Sequence, residues 1–297
     1  MFIIKYRKIF ASISVVLIAL SMVSIFVFGI NFGIDFRGGS LLEVEYTGTR
    51  PEKAEIESSL KDLSLGDFLI QPIGDKGYSL KTRDIKDAEK QEILAFLGND
   101  AVETSFTSVG PSVGAELVRK SIVSFILVAL GIIFWIAFSF RKVSKPVSSW
   151  KYGLLAIVSL VHDVIIAVGF FALASHFMGR DADTLFVVAI LTVLGLSVSD
   201  TIVVFDRIRE NIRHMQAKPF EEIVGNSLSQ VYSRSIITTL TTILVLLSLV
   251  FFGPSSTKLF AITLVAGMFF GTYSSIFLAS PLLVMVNNLQ GKTKKKK

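Results

Sequence analysis

Six apolar stretches dominate this chain. They run at about Ile9 to Ile30, Ser121 to Phe140, Tyr152 to Phe177, Thr184 to Phe205, Tyr232 to Phe252 and Leu259 to Val286. Each holds about 20 residues or more, the length a helix needs to cross the hydrocarbon core of a bilayer. With 52% hydrophobic residues in 297 and a mean hydropathy of +0.64, a chain of this size is an integral membrane protein rather than a soluble one with a large core. The first stretch follows Lys5, Arg7 and Lys8, as a signal peptide would. It is too long for one and has no convincing small-residue cleavage site, so it reads as an uncleaved span with the N-terminus in the cytoplasm.

The basic residues fix the expected topology. Arg141, Lys142 and Lys145 follow the second stretch, Arg207, Arg209, Arg213 and Lys218 follow the fourth, and Lys292 and Lys294 to Lys297 follow the sixth. Six spans with both termini inside place every one of these clusters on the cytoplasmic side, as the positive-inside rule requires. The segment from Arg207 to Lys218 reads as an interfacial helix. The lysine tail reads as a solvated topology anchor with a secondary attraction to anionic lipid. A net charge of +6 is therefore a topology signal and not a nucleic-acid footprint. Without cysteine, disulfides, thiolate metal sites and cysteine nucleophiles are excluded.

Between the first two spans lies a polar stretch whose acids outnumber its bases. Ser40 to Tyr46 alternates like a half-buried strand. Pro51 opens a helical pattern with Ala54, Ile56, Leu60 and Leu63 as its apolar face. Phe68 to Pro72 and Tyr78 to Thr82 are short strands, Ile85 to Leu97 a second helix closed by Gly98, and Val102 to Val109 a last strand. The order β-α-β-β-α-β predicts a ferredoxin-like arrangement. The expected fold is a membrane all-α bundle of six transmembrane helices plus a small α+β ferredoxin-like exported domain. Its divisions are 1–30 (first span), 31–120 (exported domain), 121–286 (five-span bundle) and 287–297 (basic tail).

Four ionisable residues lie inside the spans: His162, Asp163, Asp200 and Arg234. An intramembrane carboxylate costs about 2.5–3.5 kcal/mol on insertion scales, so such residues face a bundle interior, a water path or a partner charge. At about 1.5 Å rise per residue, Asp200 and Arg234 lie roughly 26 and 28 Å from the external face, on consecutive antiparallel spans. Contact between them is expected. An arginine keeps a carboxylate ionised and an apolar setting favours its neutral form, so a site balanced between the two can take up and release a proton. The bland alternatives are a hydrogen-bonded packing carboxylate and an arginine that snorkels to the interface. His162 and Asp163 are adjacent and point about 100° apart, so one is expected to line the path while the other packs. They are a proton-relay candidate or a structural pair. Ser197, Ser199, Thr201, Thr238 and Thr239 are candidates to support Asp200 by hydrogen bonds or ordered water, or to glue helices together. Gly267 and Gly271 have close-packing spacing. Asp206 and Arg207, at the cytoplasmic boundary, read as residues with a structural, salt-bridged or gating role rather than as proton carriers. Gly38 and Gly39 read as a turn joining span to domain.

Several chemistries are missing. No phosphate-binding glycine loop with a lysine is present, so ATP hydrolysis is not expected. His162, His176 and His214 lack zinc-helix spacing, and no nucleophile–base constellation stands out, so neither a metal nor an organic cofactor is expected. The chain reads as a non-enzymatic transport subunit.

These residues resemble a known family. Gly33-Ile-Asp-Phe-Arg-Gly-Gly39 is similar to the entry motif of the SecD/SecF proteins, and Val109-Gly-Pro-Ser-Val-Gly-Ala-Glu-Leu117 to the exit from their first exported domain. His162-Asp163-Val164 resembles the third span of the SecF branch. Ser199-Asp-Thr-Ile-Val-Val-Phe-Asp-Arg-Ile-Arg-Glu-Asn211 resembles its fourth. Ser233-Arg-Ser-Ile-Ile-Thr-Thr239 and Gly271-Thr-Tyr-Ser-Ser-Ile-Phe277 resemble the fifth and sixth. Family members often carry Tyr and Asn where this chain has Leu196 and Ser199. The resemblance implies a subunit of the bacterial Sec accessory complex in the cytoplasmic membrane. Such a subunit pairs with SecD and acts beside the SecYEG channel, with YajC and YidC as further candidate partners. It uses proton-motive force to help exported polypeptides leave on the outer side. Protons are then the coupling ion, and Asp200 and Arg234 match the family's proton-path pair. The rival readings are a half-unit of a proton-driven small-molecule efflux transporter and a passive scaffold for a channel. An exported stretch of about 90 residues is too small to hold a drug-sized pocket beside its own core, which disfavours the first.

Overall fold

The computed structural model describes residues 2–61, 63, 65–66, 68–140, 149–215 and 217–294. The basic residues Arg141, Lys142 and Lys145 and the tail residues Lys295 to Lys297 lie outside the described residues. The chain divides into two compact units. One comprises residues 1–29, 125–178 and 185–297, the other residues 30–124 and 179–184.

The first unit is helical. A short helix α1 (Phe2–Lys5) leads into α2 (Arg7–Phe28). Later in the chain come α6 (Pro111–Phe140), whose start through Ser124 belongs to the second unit, α7 (Ser149–Met178), α8 (Thr184–His214), whose first residue belongs to the second unit, α9 (Phe220–Phe252), α10 (Ser255–Ser274) and α11 (Ser280–Lys294). The π-helical segment Ser275–Ala279 joins the last two into one rod. Among the described residues, six helices are thus long and apolar enough to cross a membrane. All but α2 are longer than their apolar cores. α6 begins ten residues before the apolar stretch does, α9 begins at Phe220, and α8 continues through Arg207 to His214 without a break. Hydrophobicity marks the part of a helix that meets lipid, whereas backbone hydrogen bonding carries the helix on into polar sequence.

α7, α8 and the α10–α11 rod make the buried centre, while the apolar stretches of α6 and α9 bury few of their residues. Tyr152, Leu194, Val198, Phe205, Leu228, Ile276 and Leu283 belong to one buried cluster. Close approach is built from small residues. A Cβ on Gly267 would collide with Val193 of α8, one on Gly271 would come within 3.3 Å of Ser197 Cβ, and one on Gly169 of α7 would collide with Ser21 of α2. The Gly267/Gly271 spacing therefore does what small residues do in membrane helices, bringing two backbones together.

The second unit holds α3 (Ile34–Arg37), β1 (Gly39–Tyr46), α4 (Lys53–Leu60), β2 (Leu69–Ile73), β3 (Gly77–Thr82), α5 (Asp87–Leu97) and β4 (Ala101–Val109). The strands form one antiparallel sheet in the order β2-β3-β1-β4, with Leu42 opposite Leu80 and Phe106. Alternation in β1 turns Leu42, Val44 and Tyr46 onto Ile56, Leu60, Ile93 and Leu97 of the helices, and leaves Glu43 on the other face. The first of these helices starts at Lys53, after Glu52 at its N-cap, so Pro51 precedes the first turn instead of lying in it. The two motif glycines are required locally. Gly38 (φ 77°) and Gly39 (φ 126°) both adopt backbone that side-chain-bearing residues rarely do. Cβ atoms there would lie 2.9 Å from Pro111 Cα and 2.6 Å from the Thr82 carbonyl oxygen. They let the chain turn into β1 directly under the start of α6.

Candidate functional site

The polar residues of the helical unit gather at two linked centres. Hydroxyl residues four apart share a helix face, and the sequence repeats this spacing at Ser159/Asp163, Ser197/Thr201 and Ser235/Thr239. Helix packing turns these faces toward one another.

The first centre is Asp163, which is wholly buried. Its Oδ2 accepts from Ser197 of α8 and from Ser274 Oγ of α10 at 2.7 Å. Ser159 Oγ donates to Ser274 Oγ at 3.0 Å. Asp163 Oδ1 and His162 Nδ1 share a hydrogen bond of 2.8 Å, and His162 is itself 2% exposed. The two adjacent side chains are thus a hydrogen-bonded pair, one of the two readings the sequence left open, although neighbouring positions on a helix start about 100° apart. His162 Nε2 is buried with no hydrogen-bond partner among the described residues.

The second centre is Asp200. Its Oδ1 accepts from Ser235 Oγ of α9 at 2.7 Å. Its Oδ2 is buried without a hydrogen bond of normal geometry among the described residues, with the Thr272 hydroxyl of α10 facing the same carboxyl group. Thr272 is in turn bonded to Thr239, 2.6 Å apart. The carboxyl opens on a cavity of about 190 Å³ lined from three helices. Ser197, Ser199, Asp200 and Val203 come from α8, Arg234, Ser235, Thr238 and Thr239 from α9, and Met268, Gly271 and Thr272 from α10. A cavity of this size has room for several waters beside the hydroxyl, carboxyl and guanidinium groups in its otherwise apolar wall.

Asp200 and Arg234 thus share one cavity, but no ion pair joins them among the described residues, and Arg234 is exposed. Ser197 lines this cavity while its hydroxyl is given to Asp163, so it links the two centres. Thr201 does not reach Asp200; it pairs with Ser275 at 2.8 Å. That contact exists because the π-helical segment begins at Ser275, and an inserted residue lets consecutive serines both face inward, Ser274 to Asp163 and Ser275 to Thr201. Asp206 pairs with Arg209 at 3.2 Å, and Arg207 pairs with Glu210 at 2.6 Å. Arg207 Nε and Asn211 both donate to Gln230 of α9, at 2.7 Å each, which ties the polar end of α8 to α9. Ser159, Ser235, Ser274, Ser275 and Thr272 were not singled out as site residues by sequence. Four-residue spacing to Asp163 and Thr239 was the available signal for Ser159 and Ser235, and no such spacing marks Ser274, Ser275 or Thr272.

A polar network across three apolar helices invites comparison with known transport proteins. The family model described as protein export membrane protein SecD/SecF, C-terminal, matches residues 89–289. The chain belongs to the SecD/SecF family. A second model, the SecD/SecF GG motif, matches residues 23–49, which include Gly38 and Gly39. Relatives named protein translocase subunit SecF are similar over nearly their full length. The one from Thermobaculum terrenum is 40% identical, covering 96% of this chain and 94% of its own. That from Anaerolinea thermophila is 36% identical, covering 94% and 92%. Among solved structures, SecDF from Thermus thermophilus superposes with a TM-score of 0.81 at 30% identity over 96% of this chain. This SecD/SecF chain spans 38% of the length of that SecDF chain. It is a multi-pass membrane protein of the SecF kind.

Proposed function

We propose that this chain is the SecF-type half of a protein-export accessory complex, in which protons crossing the membrane through the Asp200 cavity drive a conformational cycle. One observation carries the reading. The Asp200 carboxyl has one oxygen held by Ser235 and the other without a hydrogen bond of normal geometry among the described residues, at a cavity that Arg234 also lines. A purely structural carboxyl would be expected to have both oxygens engaged, as Asp163 has. A titrating one needs a place for a proton to arrive and a counter-charge within reach. His162 and Asp163, linked to the cavity through Ser197, are assigned to the same path.

The partner is a SecD-type subunit. The apolar stretches of α6 and α9, few of whose residues are buried, and the three-helix opening of the cavity support a bundle completed by a second set of spans. The residues 31–120 form an exported domain of ferredoxin-like type, a reading supported by the β2-β3-β1-β4 sheet with helices after β1 and β3. Both termini lie in the cytoplasm, and the exported polypeptide is met beyond the SecYEG channel, on the outer side of the bacterial inner membrane. The coupling ion is the proton, and no nucleotide hydrolysis is assigned to this chain.

The test is proton flux and proton-dependent export in vesicles carrying the assembled complex, wild type against Asp200→Asn. The substitution keeps the shape, so assembly is expected to persist while both flux and stimulation are lost. If Asp200 only packs, the variant instead lowers the amount of complex and leaves activity per complex unchanged.

A further inference from the structure

The turn Gly179–Thr184 follows α7 and opens α8, yet it belongs to the same compact unit as residues 30–124. It is held there from both faces of its backbone and by charge. Ala182 N–H donates to the Asn31 carbonyl at 2.7 Å, and Gly33 N–H donates to the Ala182 carbonyl at 2.8 Å, which makes a one-residue parallel bridge between Phe32 and Ala182. Arg180 pairs with Glu43 of β1 at 2.6 Å and Asp181 with Lys81 of β3 at 2.6 Å. Glu43 and Lys81 lie on the sheet face turned away from α4 and α5, and all four side chains are at most 20% exposed. Asp35, in the glycine motif, completes the set. Its Oδ2 accepts both the N–H and the hydroxyl of Thr184, at 2.8 and 2.6 Å. Thr184 is the first residue of α8, so a carboxylate meets an orphan N–H at the positive end of the helix that bears Asp200.

A short external turn between two spans needs none of this, because water satisfies its backbone. We propose that the turn is a coupling strut, with Asp35, Glu43 and Lys81 as positioning residues that fasten the outer end of α8 to the exported domain. A displacement of α8 during the proton cycle is then passed to the domain through Thr184 instead of being absorbed by a loose connection. This rests on the proton-driven cycle proposed above and assigns a mechanical role to Asp35 that the two glycines of the same motif do not explain.

The experiment separates coupling from proton movement. Vesicles carrying the assembled translocase with Glu43→Arg, Arg180→Glu, or both are assayed for proton flux and for proton-dependent export, each normalised to assembled complex. The single variants are expected to keep flux within about twofold of wild type while export stimulation falls about fivefold or more, the low end of a typical coupling free energy. The double swap restores the pair with its charges exchanged and is expected to recover stimulation to within about twofold. Thr184→Val, which keeps the shape and loses the hydroxyl, covers the case in which a charge reversal does not assemble, and is expected to lower stimulation with flux intact. Full export in the single variants, or in Thr184→Val where the reversals do not assemble, overturns the strut. So does a double swap no better than its parents. Absence of proton-dependent export in the wild type removes the proposed function and the strut with it. Loss in Asp200→Asn alone leaves the function standing and overturns only the strut.

Discussion

Replacing Asp163 by alanine is a direct test of what holds the three central helices together. The carboxyl makes two interhelical hydrogen bonds, from Ser197 of α8 and Ser274 of α10, and one to its neighbour His162. Interhelical hydrogen bonds in membranes average about 0.6 kcal/mol and reach about 1.7, so the two together contribute about 1–3 kcal/mol. The partners do not suffer equally. The Ser274 hydroxyl also lies 2.9 Å from the Gly271 carbonyl and can turn its one proton there, whereas among the described residues no second acceptor is found for Ser197 and His162 is left with both ring nitrogens unpaired. Each stranded polar group adds about 1 kcal/mol or more. The expected cost is therefore about 2–4 kcal/mol for Asp163→Ala and about half of that for Asp163→Asn, which retains one acceptor oxygen. Equilibrium unfolding of the purified complex in mixed micelles, followed by loss of helical circular dichroism, gives the comparison. A cost for Asp163→Ala within about 0.5 kcal/mol, the range of an ordinary surface change, would refute the claim that this network binds the helices. Asp200→Asn in the same assay is expected to lie inside that range, because it leaves Ser235 an acceptor.

Two further outcomes are expected. Gly267→Val forces α10 away from Val193 of α8 and should lower stability by about 1–3 kcal/mol while also weakening proton-dependent export, measured per assembled complex; unchanged stability would contradict the packing described. In a chain with no cysteine of its own, cysteines introduced at Ser58 and Ser255 should react with an impermeant thiol reagent from outside intact cells and one at Lys218 should not, and external labelling at Lys218 would reverse the proposed orientation.

Much of this protein was written locally. Six apolar runs dictate six long helices because length and hydrophobicity are properties of a window of residues, and all six appear. The period-two pattern of Ser40 to Tyr46 fixed both the strand and its buried face, since alternate side chains of a strand must point opposite ways. The positions of Asp163, Asp200 and Arg234 inside apolar runs marked them as exceptional before any packing was known. Their partners were another matter. Which hydroxyl serves which carboxyl depends on helix rotation and on the π-helical segment at Ser275, and neither is visible in spacing along one helix. So Ser197 serves Asp163, Thr201 pairs with Ser275, and Asp200 shares a cavity with Arg234 with no ion pair joining them among the described residues. The same holds for Asp35 and Thr184, which are far apart in sequence and meet only because the Gly179–Thr184 turn packs against the sheet unit. Sequence determined the elements and the costly residues, because those are set by a residue and its near neighbours. The tertiary structure decided the hydrogen-bond partners, because a buried polar group takes whichever donor or acceptor packing brings within about 3 Å.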